Sequence, residues 1–314
     1  MKTFAVFLVL FTFTVSVRAE PLLYFADNDA NTINRMDLNG NRFETIIRTG
    51  RSPQGIDGDL LAGTIYFSDL GPGALPNTNG RLMAANLDGS NIRPYYLAES
   101  ENEVVGQVRV DSSSGQIWWT DEFGNRLLRG NLNGPRNVQA FFEDSNPGPL
   151  SIDIDSDAGM VYWSRSRNSE FAIERANIDG TNRELVSDES VYSIWIDNRN
   201  DLIYGADFHG DRVFRSGLDG EDVTDLLVAN GTRDVRRFGE NLFWSDIQFT
   251  DDDQILARIL KGDLDGSNAQ VLYQVDRRRT PSDPISFFIV PEVHCSHLLF
   301  LFLCTCFQTL RRQK

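Results

Sequence analysis

The chain has 314 residues, of which 41% are hydrophobic and 11% aromatic, and its formal net charge is −15. Such acidity argues against nucleic acid as a partner, because phosphates would be repelled, and it suits a soluble extracellular surface or a basic partner. All three cysteines, Cys295, Cys304 and Cys306, lie in the last twenty residues. Disulfides therefore cannot hold the rest of the chain together, which excludes the small disulfide-rich modules of secreted proteins.

The N-terminus has the pattern of a secretory signal peptide. Lys2 precedes an uncharged apolar run over residues 4–17, and Val17-Arg18-Ala19 suits cleavage after Ala19. The run is shorter than the ~20 residues that a membrane-spanning helix needs. We therefore predict that residues 1–19 are a signal peptide and that the protein is secreted or held at the cell surface. A retained signal anchor is the alternative.

Two short elements alternate along the rest of the chain. The first is an aromatic pair followed by a small residue and Asp, and the second is a turn of Leu or Ile, Asp or Asn, and Gly. Their order never changes. The aromatic element occupies residues 24–27, 66–69, 118–121, 162–165, 204–207 and 243–246, and the turn element occupies residues 38–40, 87–89, 132–134, 178–180, 218–220 and 264–266.

The two elements predict antiparallel sheets. Aromatic residues suit a half-buried pleated surface, and Asn-Gly or Asp-Gly between alternating segments is a strong hairpin signal. A further strand precedes the aromatic element, as in residues 150–155 and 191–197, and another follows the turn. Four strands in roughly 40 to 50 residues is the size of a propeller blade. We predict an all-β, six-bladed β-propeller with four-stranded antiparallel blades; a β-sandwich is the alternative.

These residues resemble the YWTD repeat, the class B repeat of low-density lipoprotein receptor relatives, over about residues 22–291. The resemblance implies a six-bladed propeller that binds a protein ligand. Two positions depart from the pattern: Arg165 stands in place of the Asp, and Gly205 stands in place of the second aromatic residue.

The first blade has no room for its own first strand, because residue 24 lies only four residues after Glu20, the predicted mature N-terminus. Residues 283–290 resemble such a strand and follow the sixth turn. We expect them to pair with the strand around Tyr24 and to close the ring, which would leave no open sheet edge between first and last blades. The predicted domain boundaries are residues 1–19 for the signal peptide, 20–291 for the propeller and 292–314 for a tail.

No catalytic centre is evident, and we predict a binding protein that is not an enzyme and needs no cofactor. His294 and His297 fall in the tail, and His209 is alone within the repeats. Five acids recur at one repeat position, which indicates structural hydrogen bonding; they are Asp27, Asp69, Asp121, Asp207 and Asp246. The alternatives are a metal-dependent lactonase or esterase with Ca²⁺ on the propeller axis, and a structural component of the extracellular matrix.

Loops on a rigid scaffold commonly carry recognition, and the loops after the aromatic elements differ most between repeats. Resemblance to the family implies that these loops face a protein partner. The candidate partner-binding residues are Leu75, Pro76, Phe123, Arg165, Arg167, His209, Asp251, Asp252 and Asp253.

Asn230-Gly231-Thr232 is a glycosylation acceptor, so Asn230 is expected to carry a glycan.

The tail combines an uncharged stretch over residues 298–310 with a basic end that includes Arg311 and Arg312. The stretch is short for a spanning helix, although the basic end has the sign expected on the cytoplasmic side. The hypotheses are a marginal membrane anchor, with Cys304 and Cys306 as acylation sites, a glycolipid-anchor signal, or a tail without function.

Overall fold

The computed structural model describes residues 20–70, 79–100, 103–143, 148–167, 170–250, 255–277 and 286–291. One compact unit spans Leu22–Val290, and the termini, Met1–Pro21 and Pro291–Lys314, group separately. Nearly all of that terminal unit, including the predicted signal peptide and the tail, lies outside the described residues. Within the described ranges, no helix is long and apolar enough to cross a membrane.

Six sheets of four antiparallel strands make up the compact unit, so the predicted fold class is confirmed. The first three blades are built as follows. Blade 1 contains β24 (Ser286–Val290), β1 (Leu22–Asp27), β2 (Thr32–Asp37) and β3 (Glu44–Arg48); blade 2 contains β4 (Ile56–Asp59), β5 (Thr64–Asp69), β6 (Arg81–Asn86) and β7 (Arg93–Leu97); blade 3 contains β8 (Val108–Asp111), β9 (Gln116–Asp121), β10 (Arg126–Asn131) and β11 (Gly134–Glu143).

The other three blades repeat this order. Blade 4 contains β12 (Pro149–Asp155), β13 (Met160–Arg167), β14 (Glu170–Asn177) and β15 (Glu184–Ser187); blade 5 contains β16 (Ser193–Asp197), β17 (Leu202–Asp207), β18 (Arg212–Gly217) and β19 (Thr224–Val228); blade 6 contains β20 (Asp234–Phe238), β21 (Asn241–Phe249), β22 (Ile255–Asp263) and β23 (Gln270–Arg277). The first strand of each blade contacts the first strands of both neighbouring blades, so these six strands surround the axis.

The ring closes as the sequence predicted. Strand β24 pairs antiparallel with β1, with Phe288 opposite Tyr24 and Ser286 opposite Ala26. The side chains of Phe287 and Phe25, which also face each other in this ladder, are fully buried. The last described strand therefore completes the first blade.

The core consists of layers between adjacent blades. The aromatic elements lie in the second strands, which are buried on both faces because a neighbouring blade packs against each side. In β9, for example, Trp118 packs towards Trp163 of blade 4, whereas Trp119 packs towards Tyr66 of blade 2. One hydrophobic cluster fills each of the six interfaces between blades. Among the described strands, the fourth strands are the most exposed, since they form the outer edges of their sheets.

Both departures from the aromatic element are compensated on the neighbouring third strand. Gly205 pairs with Phe214, and a Cβ at Gly205 would come within 2.3 Å of the Phe214 ring. The aromatic ring of blade 5 is therefore supplied by β18. Arg165 pairs through its Nη2 with Glu174 Oε1 at 2.9 Å, so the charge order of blade 4 is reversed and an ion pair is kept.

Candidate functional site

The two ends of the ring carry different connections. Turns between strands 1 and 2, and between strands 3 and 4, lie at one end, which we call the turn face. Loops between strands 2 and 3, and the connections from one blade to the next, lie at the other end, which we call the loop face. Every loop that follows an aromatic element therefore opens onto the loop face.

Three of the recurrent aspartates accept hydrogen bonds from the backbone of the loop that follows them. The Oδ1 atoms of Asp27, Asp121 and Asp207 accept backbone N–H groups from three residues further on, at 2.8 to 3.0 Å. Four of the aspartates also pair with an arginine of the following strand. The pairs are Asp69 with Arg81, Asp121 with Arg126, Asp207 with Arg212, and Asp246 with Arg258. This geometry supports a structural role for the repeat position.

The candidate partner residues that the structure describes do not form one cluster on the loop face. Phe123 and His209 are exposed in the loops of blades 3 and 5. Arg165 belongs to the end of β13 and is engaged with Glu174. The backbone of Arg167 lies in the same strand, but its side chain is outside the described set. Five candidate loop positions lie outside the described residues: Leu75, Pro76, Asp251, Asp252 and Asp253.

An arginine in contact with aromatic rings lies on the loop face. The sequence patterns did not predict it. Arg233 lies in the connection from blade 5 to blade 6, and the residue is 7% exposed. Its guanidinium carbon is 3.7 Å from the ring centroid of Phe208 and 4.6 Å from that of Tyr192. The His209 ring lies 5.1 Å from Phe208 and 5.9 Å from Phe171. We call these five residues the Arg233 corner.

Asn230 lies three residues before Arg233. Its side chain is exposed, whereas its carbonyl accepts the backbone N–H of Ile247 at 3.0 Å. Thr232 of the same acceptor motif is fully buried, and its hydroxyl donates to the Ala229 carbonyl at 2.7 Å. The side chain of Asn230 is therefore accessible, on the same face as the Arg233 corner.

The axis is lined by charged groups from the first strands. Three carboxylates each accept a backbone N–H from the axis-facing edge of the next blade: Asp57 from Val110, Asp153 from Ile196, and Asp234 from Phe287, at 2.7 to 3.1 Å. An unpaired buried N–H is costly, so these contacts satisfy a strand edge that has no neighbouring strand. The axial carboxylates thus link successive blades.

Two buried arginines accompany these carboxylates. Arg109 Nε lies 3.4 Å from Asp153 Oδ1, and Arg236 Nε donates to the Phe287 carbonyl at 3.1 Å. Burial raises the pKa of the Asp57 carboxyl, although Arg109 and Arg236 favour its charged form. Burial and the like charge of Arg236 lower the pKa of Arg109.

In the part of the chain that the structure describes, no group of three or more metal-ligating side chains is placed to hold a metal ion.

The axial arginines and Arg233 share one reason for being missed. Each lies in or just before a first strand, and the two repeated elements do not include that strand. When the first strands are aligned, one position is charged in four blades and aromatic in the other two. The charged residues are Asp57, Arg109, Asp153 and Arg236, and the aromatic residues are Trp195 in blade 5 and Phe288 in blade 1. Charged residues at a buried strand position are the signal that could have revealed the axial cluster.

No family model matches the sequence. Similar curated proteins include the protein cueball of Drosophila ananassae, 22% identical over 199 residues, and that of Drosophila simulans, 25% identical over 151 residues. The matches cover 58% and 46% of this chain but 30% and 23% of the relatives. The chain therefore spans less than a third of the length of these relatives.

Solved structures share the architecture at low sequence identity. A putative TolB from Agrobacterium tumefaciens aligns with a TM-score of 0.61 and 12% identity, covering 82% of this chain and 90% of that chain. A chain from the crystal structure of a nidogen/laminin complex aligns with a TM-score of 0.70 and 17% identity, covering 86% of this chain and 98% of that chain. At these identities the likeness is one of fold, and the protein shares its propeller architecture with a chain solved in the nidogen/laminin complex.

Proposed function

We propose that residues 20–291 form an extracellular protein-binding module, exported by a signal peptide at residues 1–19, and that the partner docks on the loop face. The observation that carries this proposal is the gathering of dissimilar loops at one end of a rigid ring, with aromatic side chains such as Phe123 and Phe208 among them. Aromatic residues are enriched in protein interfaces, and rigid scaffolds lower the entropic cost of binding.

The comparisons support the same class of function. The similar nidogen/laminin chain comes from a complex of two proteins. The six aromatic elements also resemble the YWTD repeat, with departures at Arg165 and Gly205, and we propose the YWTD family as the family of this propeller. A glycan at Asn230 and a membrane association through residues 292–314 are further parts of the proposal, and both are compatible with export.

A pair of engineered glycans tests which face binds. Asp188→Asn creates Asn-Glu-Ser on the loop face, after blade 4, and Asp179→Asn creates Asn-Gly-Thr on the turn face of the same blade. Both aspartates are exposed, and both changes remove one negative charge. Residues 20–291 in wild-type and variant form are used to capture partners from an extracellular fraction, with glycan occupancy checked by mass.

A partner that binds the wild type and Asp179→Asn but is lost with Asp188→Asn supports the proposal. Equal capture by all three proteins, loss with Asp179→Asn, or no specific partner from the extracellular fraction contradicts it.

A further inference from the structure

The Arg233 corner contains a buried cation without an acidic counter-ion. The backbone N–H of Arg233 donates to the Ser245 carbonyl at 3.0 Å. Its side chain forms no ion pair or hydrogen bond with the described residues, and its buried Nε atom has no partner. By contrast, the loop-face arginines Arg126 and Arg212 each contact at least two carboxylates. A buried N–H donor that loses water without gaining an acceptor is costly, and more so when it belongs to a charged group.

The rings of the corner fix this cation in place. Phe208 and Tyr192 contact the guanidinium, which orients the group and partly offsets its desolvation through cation–π attraction. The rings leave the buried Nε–H donor unsatisfied, since ring faces interact with the positive charge and do not accept a hydrogen bond as a carboxylate does. Arg233 is therefore a pre-organised donor beside the exposed His209.

We infer that Arg233 receives a carboxylate of the protein partner, from one Asp or Glu side chain in a loop that docks on the loop face. This inference rests on the proposed function and names the chemistry of its central contact. A planar guanidinium matches a carboxylate through two parallel N–H···O bonds, and the surrounding rings provide apolar contacts for the neighbouring residues of a peptide.

A single acidic side chain fits better than a polyanion. A sulfated polysaccharide is held by arrays of basic residues, whereas the nearby Arg212 is already occupied by Glu189, Asp207 and Asp225. The chain as a whole carries a net charge of −15, which opposes an acidic partner at long range. The docking loop is therefore expected to be neutral or basic apart from its one carboxylate.

The test uses constrained peptides selected from a display library on residues 20–291 carrying Asn230→Gln, so that no glycan restricts access. Peptides that bind the Arg233→Gln protein as tightly as the parent protein are removed, and peptides whose weaker binding to Arg233→Gln can still be measured are kept. The remaining peptides are expected to share one Asp or Glu, and changing it to Asn or Gln should weaken binding about thirtyfold. On Arg233→Gln the same peptide change should have almost no effect, because the two changes remove one contact.

Arg42→Gln on the turn face is the matched control, and it should leave peptide binding unchanged. Arg233→Lys keeps the charge but loses the planar guanidinium, so it should weaken peptide binding. Its unfolding midpoint should remain that of the wild type. This variant replaces Arg233→Gln in the test if Arg233→Gln fails to fold. An empty pool, peptides without a shared acid, additive effects of the two changes, or heparin fragments that bind through Arg233 would overturn the inference. Loss of partner capture with Asp188→Asn, without coupling at Arg233, would overturn only this contact and leave the proposed function standing.

Discussion

At the residue scale, this propeller tolerates departures from its repeat when the adjacent strand supplies what is missing. Gly205 has no side chain, and Phe214 fills the space across the ladder. Arg165 reverses a charge, and Glu174 restores the pair. Gly205 and Phe214 face each other in the ladder, whereas Glu174 lies opposite Trp163 and reaches Arg165 diagonally, so the third strand can supply the ring or the acid from different positions.

The first prediction concerns Gly205. Gly205→Ala should lower the free energy of unfolding by about 1 to 3 kcal/mol, because the new Cβ would overlap the Phe214 ring. Phe214→Leu in the same chain should recover part of this loss, so the two changes should be non-additive in urea unfolding. Gly50→Ala is the control, since its Cβ would meet only the Arg81 side-chain end at 4.0 Å. Equal losses for the two alanine variants would contradict the packing explanation.

The second prediction uses the raised pKa of Asp57, caused first by desolvation and opposed by Arg109 and Arg236. A carboxyl with a raised folded pKa contributes stability that is present below its unfolded pKa and is lost as the pH rises through the folded pKa. The stability of the wild type relative to Asp57→Asn should therefore increase as the pH falls from about 7 to about 4.

Asp37→Asn is the matched control of opposite sign. Desolvation of Asp37 is outweighed by the N–H groups of Asn39 and Asn41 and by Arg42, so the pKa of Asp37 is lowered. The stability of the wild type relative to this variant should decrease as the pH falls below the unfolded pKa. Denaturant unfolding at several pH values measures both differences, and slopes of the same sign would show that at least one of the two carboxyls does not behave as described.

At the element scale, the recurring Leu-Asp-Gly turn has a role between blades. The carbonyl of its first residue accepts a hydrogen bond from a long basic side chain on the third strand of the preceding blade. The observed contacts are Arg35 to Leu87, Arg129 to Ile178, Arg175 to Leu218 and Lys261 to Leu38, at 2.7 to 3.3 Å. Gly40 within this turn has a φ of 77°, a conformation that glycine adopts without steric cost. The turn therefore recurs because it both reverses the chain and joins neighbouring blades.

The third prediction concerns the closing strand β24. A chain that ends at Arg279 should lose its cooperative unfolding transition, because β1 would lose its ladder partner and Asp234 would lose the N–H of Phe287. A chain that ends at Pro291 is the control. Phe287→Ala in the longer chain removes a fully buried ring and should cost about 3 to 5 kcal/mol. An Arg279-terminated chain that melts like the control would refute the role of β24.

At the scale of the whole molecule, the ring is held by contacts between successive blades, with one core cluster at each interface. No cysteine lies between residues 20 and 294, so closure takes the place of covalent links. Because every blade packs on two others, the loss of one interface opens the ring as a whole.

The fourth prediction follows for the domain boundaries. Residues 20–291 alone should unfold in one transition with the same midpoint as the longer chain that retains residues 292–314, because β24 ends at Val290. Calorimetry measures the midpoint and the ratio of calorimetric to van't Hoff enthalpy, which should be close to one. A lower midpoint for residues 20–291 would show that the tail stabilises the propeller.

The sequence by itself determined the repeat, the number of blades, the all-β class and the closing strand, because strand periodicity and turn residues are local properties that neighbouring positions display. It also indicated a structural role for Asp27 and its equivalents through their recurrence. Only the tertiary structure decided which side chains meet across blades: the Phe214 ring beside Gly205, the axial carboxylates and arginines, and the Arg233 corner. These contacts join residues far apart in the chain, and their chemistry depends on the burial and the neighbours that the closed ring creates.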